Sequence, residues 1–121
     1  MFDFNGKVLV LSGANGSITR NIAKTFYNLG ASMVLSDLNE AGLTEFANEL
    51  DPDRKRVHTM KVDVRKEADC NAVGSKVKEL FGYADFLVTG AGLYRDQLVE
   101  SMSEEQWQES IGINLDGVFF F

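Results

Sequence analysis

Between Lys7 and Gly30 an aliphatic run leads into a glycine turn and then into a helical pattern, and few folds accommodate that order. Lys7-Val8-Leu9-Val10-Leu11 is too short for a helix and suits a strand buried on both faces of a parallel sheet. Ser12-Gly13-Ala14-Asn15-Gly16-Ser17 then turns the chain tightly. Ile18, Ile22, Ala23, Phe26 and Leu29 recur at helical spacing and predict a buried stripe, with Gly30 at the C-cap position. A strand feeding a glycine turn that opens a helix aims free backbone N–H groups and the positive helix end at one point. Such a point suits a pyrophosphate.

The pattern then repeats. Ser32 to Ser36 predicts a second strand ending at Asp37, and Asn39 can cap a helix from Glu40 to Leu50 with Leu43, Phe46, Ala47 and Leu50 as its stripe. Asp51-Pro52-Asp53 breaks that helix. Val57 to Val62 predicts a third strand, followed by Asp63. A helix from about Lys66 to Phe81 is expected to bury Ala72, Val73, Val77 and Leu80, with Gly82 closing it. Phe86-Leu87-Val88 predicts a fourth strand running into Thr89-Gly90-Ala91-Gly92. After an irregular stretch from Leu93 to Met102, Ser103-Glu104-Glu105-Gln106 has capping-box spacing and opens a helix through Trp107 and Ile111. Alternation of this kind implies right-handed crossovers and an α/β fold, a doubly wound parallel sheet of order 3-2-1-4. The ligand crevice is then expected between the C-terminal ends of strands 1 and 4.

Composition excludes several functions. With 121 residues, 45% of them hydrophobic, the chain reads as one domain able to bury a core. The net charge of -6 and the absence of a long basic run argue against nucleic acid as a partner. A single Cys70 excludes an internal disulfide and a Cys-based zinc site, and no metal site is expected. Met1 to Phe4 lacks the pattern of a signal peptide, and no apolar run approaches a membrane span, so a cytoplasmic location is expected. His58, the one histidine, falls in the third strand pattern and reads as packing.

Asp37 stands about 20 residues past the glycine turn, at the tip of the second strand. There a carboxylate can accept both ribose hydroxyls of an adenosine while its charge repels a 2′-phosphate. No Arg or Lys lies inside the turn, and Arg20 is one helical turn in. NAD is therefore favoured over NADP.

These residues resemble the short-chain dehydrogenase/reductase family, from Lys7 to Phe121. Ser12-Gly13-Ala14-Asn15-Gly16-Ser17-Ile18-Thr19 is similar to its glycine-rich turn. In the register that fits better, Gly13 and Gly16 take glycine places and Thr19 replaces the last one, a change expected to push the helix outward. Asp63-Val64 resembles the pair that flanks adenine. Thr89-Gly90-Ala91-Gly92 resembles the family's Asn-Asn-Ala-Gly, with both amides replaced. Asn114-Leu115 and Gly117 resemble the Asn-Leu-x-Gly in which the Asn interrupts a helix and holds a water of the proton relay. The resemblance implies a Rossmann-type NAD(P)-binding domain over residues 1–121, truncated, with its C-terminal half missing. It places Gly13, Asn15, Gly16, Ser17 and Ile18 at the pyrophosphate, Asp37 at the ribose, and Asp63 and Val64 at adenine. Ala91 and Gly92 fall at the nicotinamide-side ribose, and Asn114 in the catalytic set.

The acid–base pair of that family, a Tyr and a Lys four residues apart, has no match, since Tyr27, Tyr83 and Tyr94 are followed at that distance by Ala31, Leu87 and Leu98. The expectation is the N-terminal half of a longer oxidoreductase moving a hydride between nicotinamide and a hydroxyl or carbonyl substrate, the 121 residues alone being inactive. A homo-oligomeric parent acting on a small-molecule alcohol or carbonyl follows from the same resemblance. The alternative is a non-catalytic dinucleotide-binding or regulatory module. A third reading is a sheet of this topology that binds another nucleotide or a flavin. Glu104, Glu105 and Glu109 read as a solvated helix face.

Overall fold

The structure, a computed structural model, describes residues 1–121. Strands β1 (Val8–Ser12), β2 (Ser32–Asp37), β3 (Val57–Lys61) and β4 (Phe86–Thr89) form one parallel sheet in the order β3-β2-β1-β4. Between them lie helices α1 (Ser17–Asn28), α2 (Glu40–Leu50) and α3 (Glu67–Phe81). After β4 come a 3₁₀ turn (Val99–Ser101), α4 (Glu104–Ile111), a π-helical segment (Gly112–Asp116) and the short α5 (Gly117–Phe120). The expected α/β class and strand order hold. No helix is long and apolar enough to cross a membrane.

Two apolar layers sandwich the sheet. On one face Leu9, Leu11, Met33 and Leu35 meet Ala23 of α1 and Leu43, Phe46 and Ala47 of α2, all fully buried. On the other, Val8, Val10 and Val34 meet Cys70, Val73 and Val77 of α3. Burying each such Leu or Phe contributes roughly 1.5–3 kcal/mol, so the central strands need no other anchor. Asn39 caps α2 through its side-chain oxygen, and Ser103 with Gln106 closes a full capping box on α4. Gly30 ends α1 as expected: its N–H donates to Tyr27 and that of Ala31 to Phe26, the double closure of a Schellman turn.

Side-chain phasing departs from expectation at two helices. In α1 the buried positions are Thr19 and Ala23, and Ile18 is 75% exposed at the first turn. Successive helical residues point about 100° apart, so a stripe running through Thr19, Ala23 and Phe26 turns Ile18 away. In α3 Ala72 is exposed, because the buried face runs through residues 70, 73 and 77. The Cys70 thiol is pushed up by burial and by neighbouring acidic charge, which leaves it a packing residue. His58 stands half-buried with its ring edge-on to Phe81.

Candidate functional site

The parallel register brings the C-terminal strand ends to one edge: Ser12 stands opposite Ser36 and Thr89, and Asp37 opposite Lys61. Over this edge opens a cleft of about 310 Å³ lined by Gly13, Gly16, Asp37, Asp63, Val64, Ala91 and Gly92, together with Ser36, Leu38, Val62, Arg65, Gly90, Glu109 and Ile113. A volume of this order is typical of small-molecule sites. Asn15, Ser17 and Ile18 do not line it; they form the turn and the first turn of α1 beside its mouth. Asn114 sits behind Gly92.

Gly13 adopts φ +62°, and a Cβ there would lie 2.5 Å from the Ala91 nitrogen, so no other residue fits. The loop after β4 rests directly on the turn. Ser12 Oγ accepts from the N–H groups of Gly90 (3.1 Å) and Ala91 (3.4 Å), and the Ser12 carbonyl also accepts from Gly90. At the start of α1 Gly16 is the N-cap and offers no side-chain acceptor, and no acidic residue occupies the first turn. Each of α2, α3 and α4 carries acidic side chains in its first turn. The first amides of α1 therefore point outward without an internal acceptor, the arrangement that receives an anion.

Asp37 stands at that mouth. One carboxylate oxygen accepts from the Asn15 N–H and the other from the Asn39 N–H, both at 2.9 Å, which fixes the plane and leaves lone pairs facing the cleft. Arg20 is turned away. Its guanidinium is tied to the Asn15 side chain and carbonyl and to the Gly42 carbonyl, and it lies 4.8 Å over the Phe46 ring. It is not part of the cleft lining.

A family profile described as short chain dehydrogenase matches residues 7–121. The chain belongs to the short-chain dehydrogenase/reductase family. It is 35% identical over 120 residues to a D-threitol dehydrogenase of Mycolicibacterium smegmatis, covering 98% of this chain and 46% of that protein. Among solved structures it matches a short-chain dehydrogenase/reductase, glucose/ribitol dehydrogenase, from Brucella melitensis with TM-score 0.95 and 43% identity, over 98% of this chain and 50% of the other. A short-chain dehydrogenase/reductase from Burkholderia phymatum in complex with NAD matches with TM-score 0.93 and 30% identity, over 99% of this chain and 43% of that one. The chain spans about half the length of the relatives it matches.

Thr19, at the last glycine place of the turn, is buried, and its hydroxyl donates to the Gly13 carbonyl at 2.6 Å, with the Gly16 carbonyl at 3.1 Å. Room for its methyl comes from the loop: a Cβ on Gly90 would lie 2.3 Å from Thr19 Cγ2. At the far end of the cleft Arg65 grips Asp63 through two parallel hydrogen bonds, 2.9 and 2.7 Å. That guanidinium, opposed by partial burial, holds the Asp63 carboxyl below the usual range. Glu109 keeps 37% of its side-chain surface open to water and also lines the cleft. It pairs with Arg95 and lies 3.9 Å from Arg65, joining the end of β3, the loop after β4 and helix α4. Sequence reading missed Arg65, Arg95 and Glu109 in this role; the one local signal was the Asp63-Val64-Arg65 spacing.

Asn114 falls within the π-helical segment, where helix geometry is interrupted. Its amide closes on Leu93 from both sides, donating to the carbonyl at 2.7 Å and accepting from the N–H at 2.8 Å. The side chain thus pins the backbone that follows Gly92.

Proposed function

We propose that this chain is the NAD(P)-binding Rossmann unit of a longer oxidoreductase that transfers a hydride between a nicotinamide cofactor and a small hydroxyl or carbonyl substrate. The observation that carries the reading is the Asp37 carboxylate, hydrogen-bonded to the Asn15 N–H at the uncapped mouth of α1. There it can hold the ribose diol of an adenosine, while the first amides of α1 receive the pyrophosphate. Gly13, Asn15, Gly16, Ser17 and Ile18 form the phosphate end, Asp63 and Val64 the adenine end, and Ala91 and Gly92 the nicotinamide side. Bound there, the nicotinamide ring would supply or accept the hydride.

The chain's own residues bind, orient and shield. Asp37 favours NAD over NADP, since a 2′-phosphate would bring a second anion against it and Arg20 is held elsewhere. Asn114 acts as a positioning residue, fixing Gly92 and Leu93 and supporting the proton relay from behind. The Tyr, Lys and Ser of the acid–base chemistry are assigned to sequence beyond these residues, so the 121 residues alone are expected to bind cofactor without turnover. A homo-oligomeric, cytoplasmic parent fits this reading.

Calorimetric titration with NAD and NADP tests it. The protein should bind NAD more tightly, and Asp37→Asn, which keeps the shape and removes the charge, should narrow the NAD/NADP ratio by about tenfold, or about 1.4 kcal/mol. Equal affinity for both nucleotides, unchanged by the substitution, would overturn the assignment.

A further inference from the structure

Thr19 and Gly90 each depart from the family pattern, and each departure occupies or vacates the same volume. A Cβ added at Gly90 would lie 2.3 Å from the Thr19 methyl, far inside any real carbon–carbon contact, and 2.7 Å from the Ser12 carbonyl oxygen. Thr19 is 6% exposed, so its methyl has no path outward. Its hydroxyl holds the Gly13 carbonyl, and the N–H of Gly90 is held in turn by Ser12. Gly13 packs directly against the same loop, with no room for a Cβ before Ala91. The turn, the first turn of α1 and the loop after β4 are thus keyed to one another at a single point.

We propose that Thr19 and Gly90 form an interlocking pair that sets the separation between the glycine turn and the loop after β4, and with it the width of the cleft. The last glycine of the turn has in effect moved across the cleft floor: the methyl on α1 fills the space that a side chain on the loop would need. Thr19 is a positioning residue acting through Gly13 and Gly90, and neither Thr19 nor its methyl lines the cleft. A Cβ at position 90 is accommodated better when position 19 loses its methyl, the close approach to the Ser12 carbonyl remaining. The consequence for ligand affinity rests on the dinucleotide reading; the packing consequence does not.

A double-mutant cycle in the full chain tests the pair. Thr19→Ser removes only the methyl and keeps the hydroxyl that holds Gly13, and should lower the melting temperature by only about 2–4 °C for the small cavity it leaves. Gly90→Ala alone should lower the melting temperature by about 5 °C or more, since overpacking a filled site strains the backbone. It should also weaken NADH, read by nucleotide fluorescence, by about tenfold. In the Thr19→Ser background the same Gly90→Ala should cost about half as many degrees and about threefold in affinity, the remainder coming from the Ser12 carbonyl. Should Gly90→Ala fail to fold, recovery of a cooperative transition in the double variant supports the interlock equally. Losses that simply add, in melting temperature and in affinity, overturn it. Coupling in melting temperature with no NADH binding by any variant, wild type included, would uphold the interlock and reject the dinucleotide reading.

Discussion

The two edges of the sheet are built from the same residue types and do opposite things with them. At the N-terminal edge two carboxylates, Asp51 and Asp85, are spent on the fold. Asp85 accepts from the Val8 N–H at 2.8 Å and from Lys7 at 3.0 Å. Asp51, 4% exposed, accepts from the N–H groups of Arg56 and Val57 and from the Tyr27 hydroxyl. At the C-terminal edge glycines replace side chains, α1 begins without a cap, and Asp37 keeps lone pairs turned to the cleft. Rigidity is concentrated below so that backbone donors can stay unpaired above, which is how an α/β sheet carries a site without unfolding around it.

Gly13→Ala should break the contrast at its upper edge and have the largest effect of any single change. The added carbon would strain a backbone at φ +62° and strike Ala91 at 2.5 Å. NADH affinity is expected to fall by about a hundredfold, with stability also reduced by about 1–3 kcal/mol. Fluorescence titration alongside thermal unfolding separates the two, and affinity within threefold of wild type would show that the turn does not hold the ligand.

Asp51→Ala attacks the lower edge. It strands two backbone donors and a phenol in a closed site, and should cost about 2–4 kcal/mol in urea unfolding while leaving NADH affinity within twofold. Burial alone would raise the Asp51 carboxyl, but the N–H groups of Arg56 and Val57, the Tyr27 hydroxyl and the Arg56 charge together hold it below its ordinary value. A carboxyl lowered on folding stabilises above its unfolded value near pH ~3.9 and loses that contribution as pH falls through the lowered folded value. Wild type should therefore lose stability below about pH 4, and Asp51→Ala should show a shallower acid limb. The limb is not abolished, because Asp63 and Asp85 are lowered too. An acid limb identical in both proteins would remove Asp51 from that account.

Much of this contrast was legible in the sequence, because local rules write it. Strand period, glycine punctuation and the Asn39 and Ser103 caps follow from neighbouring residues, and alternation with right-handed crossover leaves order 3-2-1-4. Asp37 could be found because a strand tip always faces that edge. What escaped depends on the phase of a helix or on contacts between distant segments. Ile18 and Thr19 are adjacent, and only the packed helix decides which faces the sheet. Read alone, Thr19 and Gly90 were two losses; folded so that a Cβ on Gly90 would lie 2.3 Å from the Thr19 methyl, they explain each other. Glu109 looked like one acid among several on an exposed helix until folding set it between Arg65 and Arg95.

That last group offers the mildest test and sharpens where the two edges meet in behaviour. Arg65, Arg95 and Glu109 remain substantially open to water, at 41%, 30% and 37% of their side-chain surface, unlike the closed Asp51 site. Charges so exposed are screened by solvent and salt, and such pairs are worth about 0.2–1 kcal/mol each. Glu109→Gln keeps the shape while leaving two guanidinium groups facing each other across a neutral amide. The melting temperature should drop by only about 2–5 °C at low salt, and the difference should shrink toward zero near 1 M salt, where the screening length is about 3 Å. NADH affinity should move by less than about threefold, because Arg65 keeps its two-pronged grip on Asp63. A loss above tenfold, or one that salt leaves untouched, would mean that Glu109 touches the ligand itself, and the division between a fastened lower edge and a lightly fastened upper one would have to be redrawn around α4.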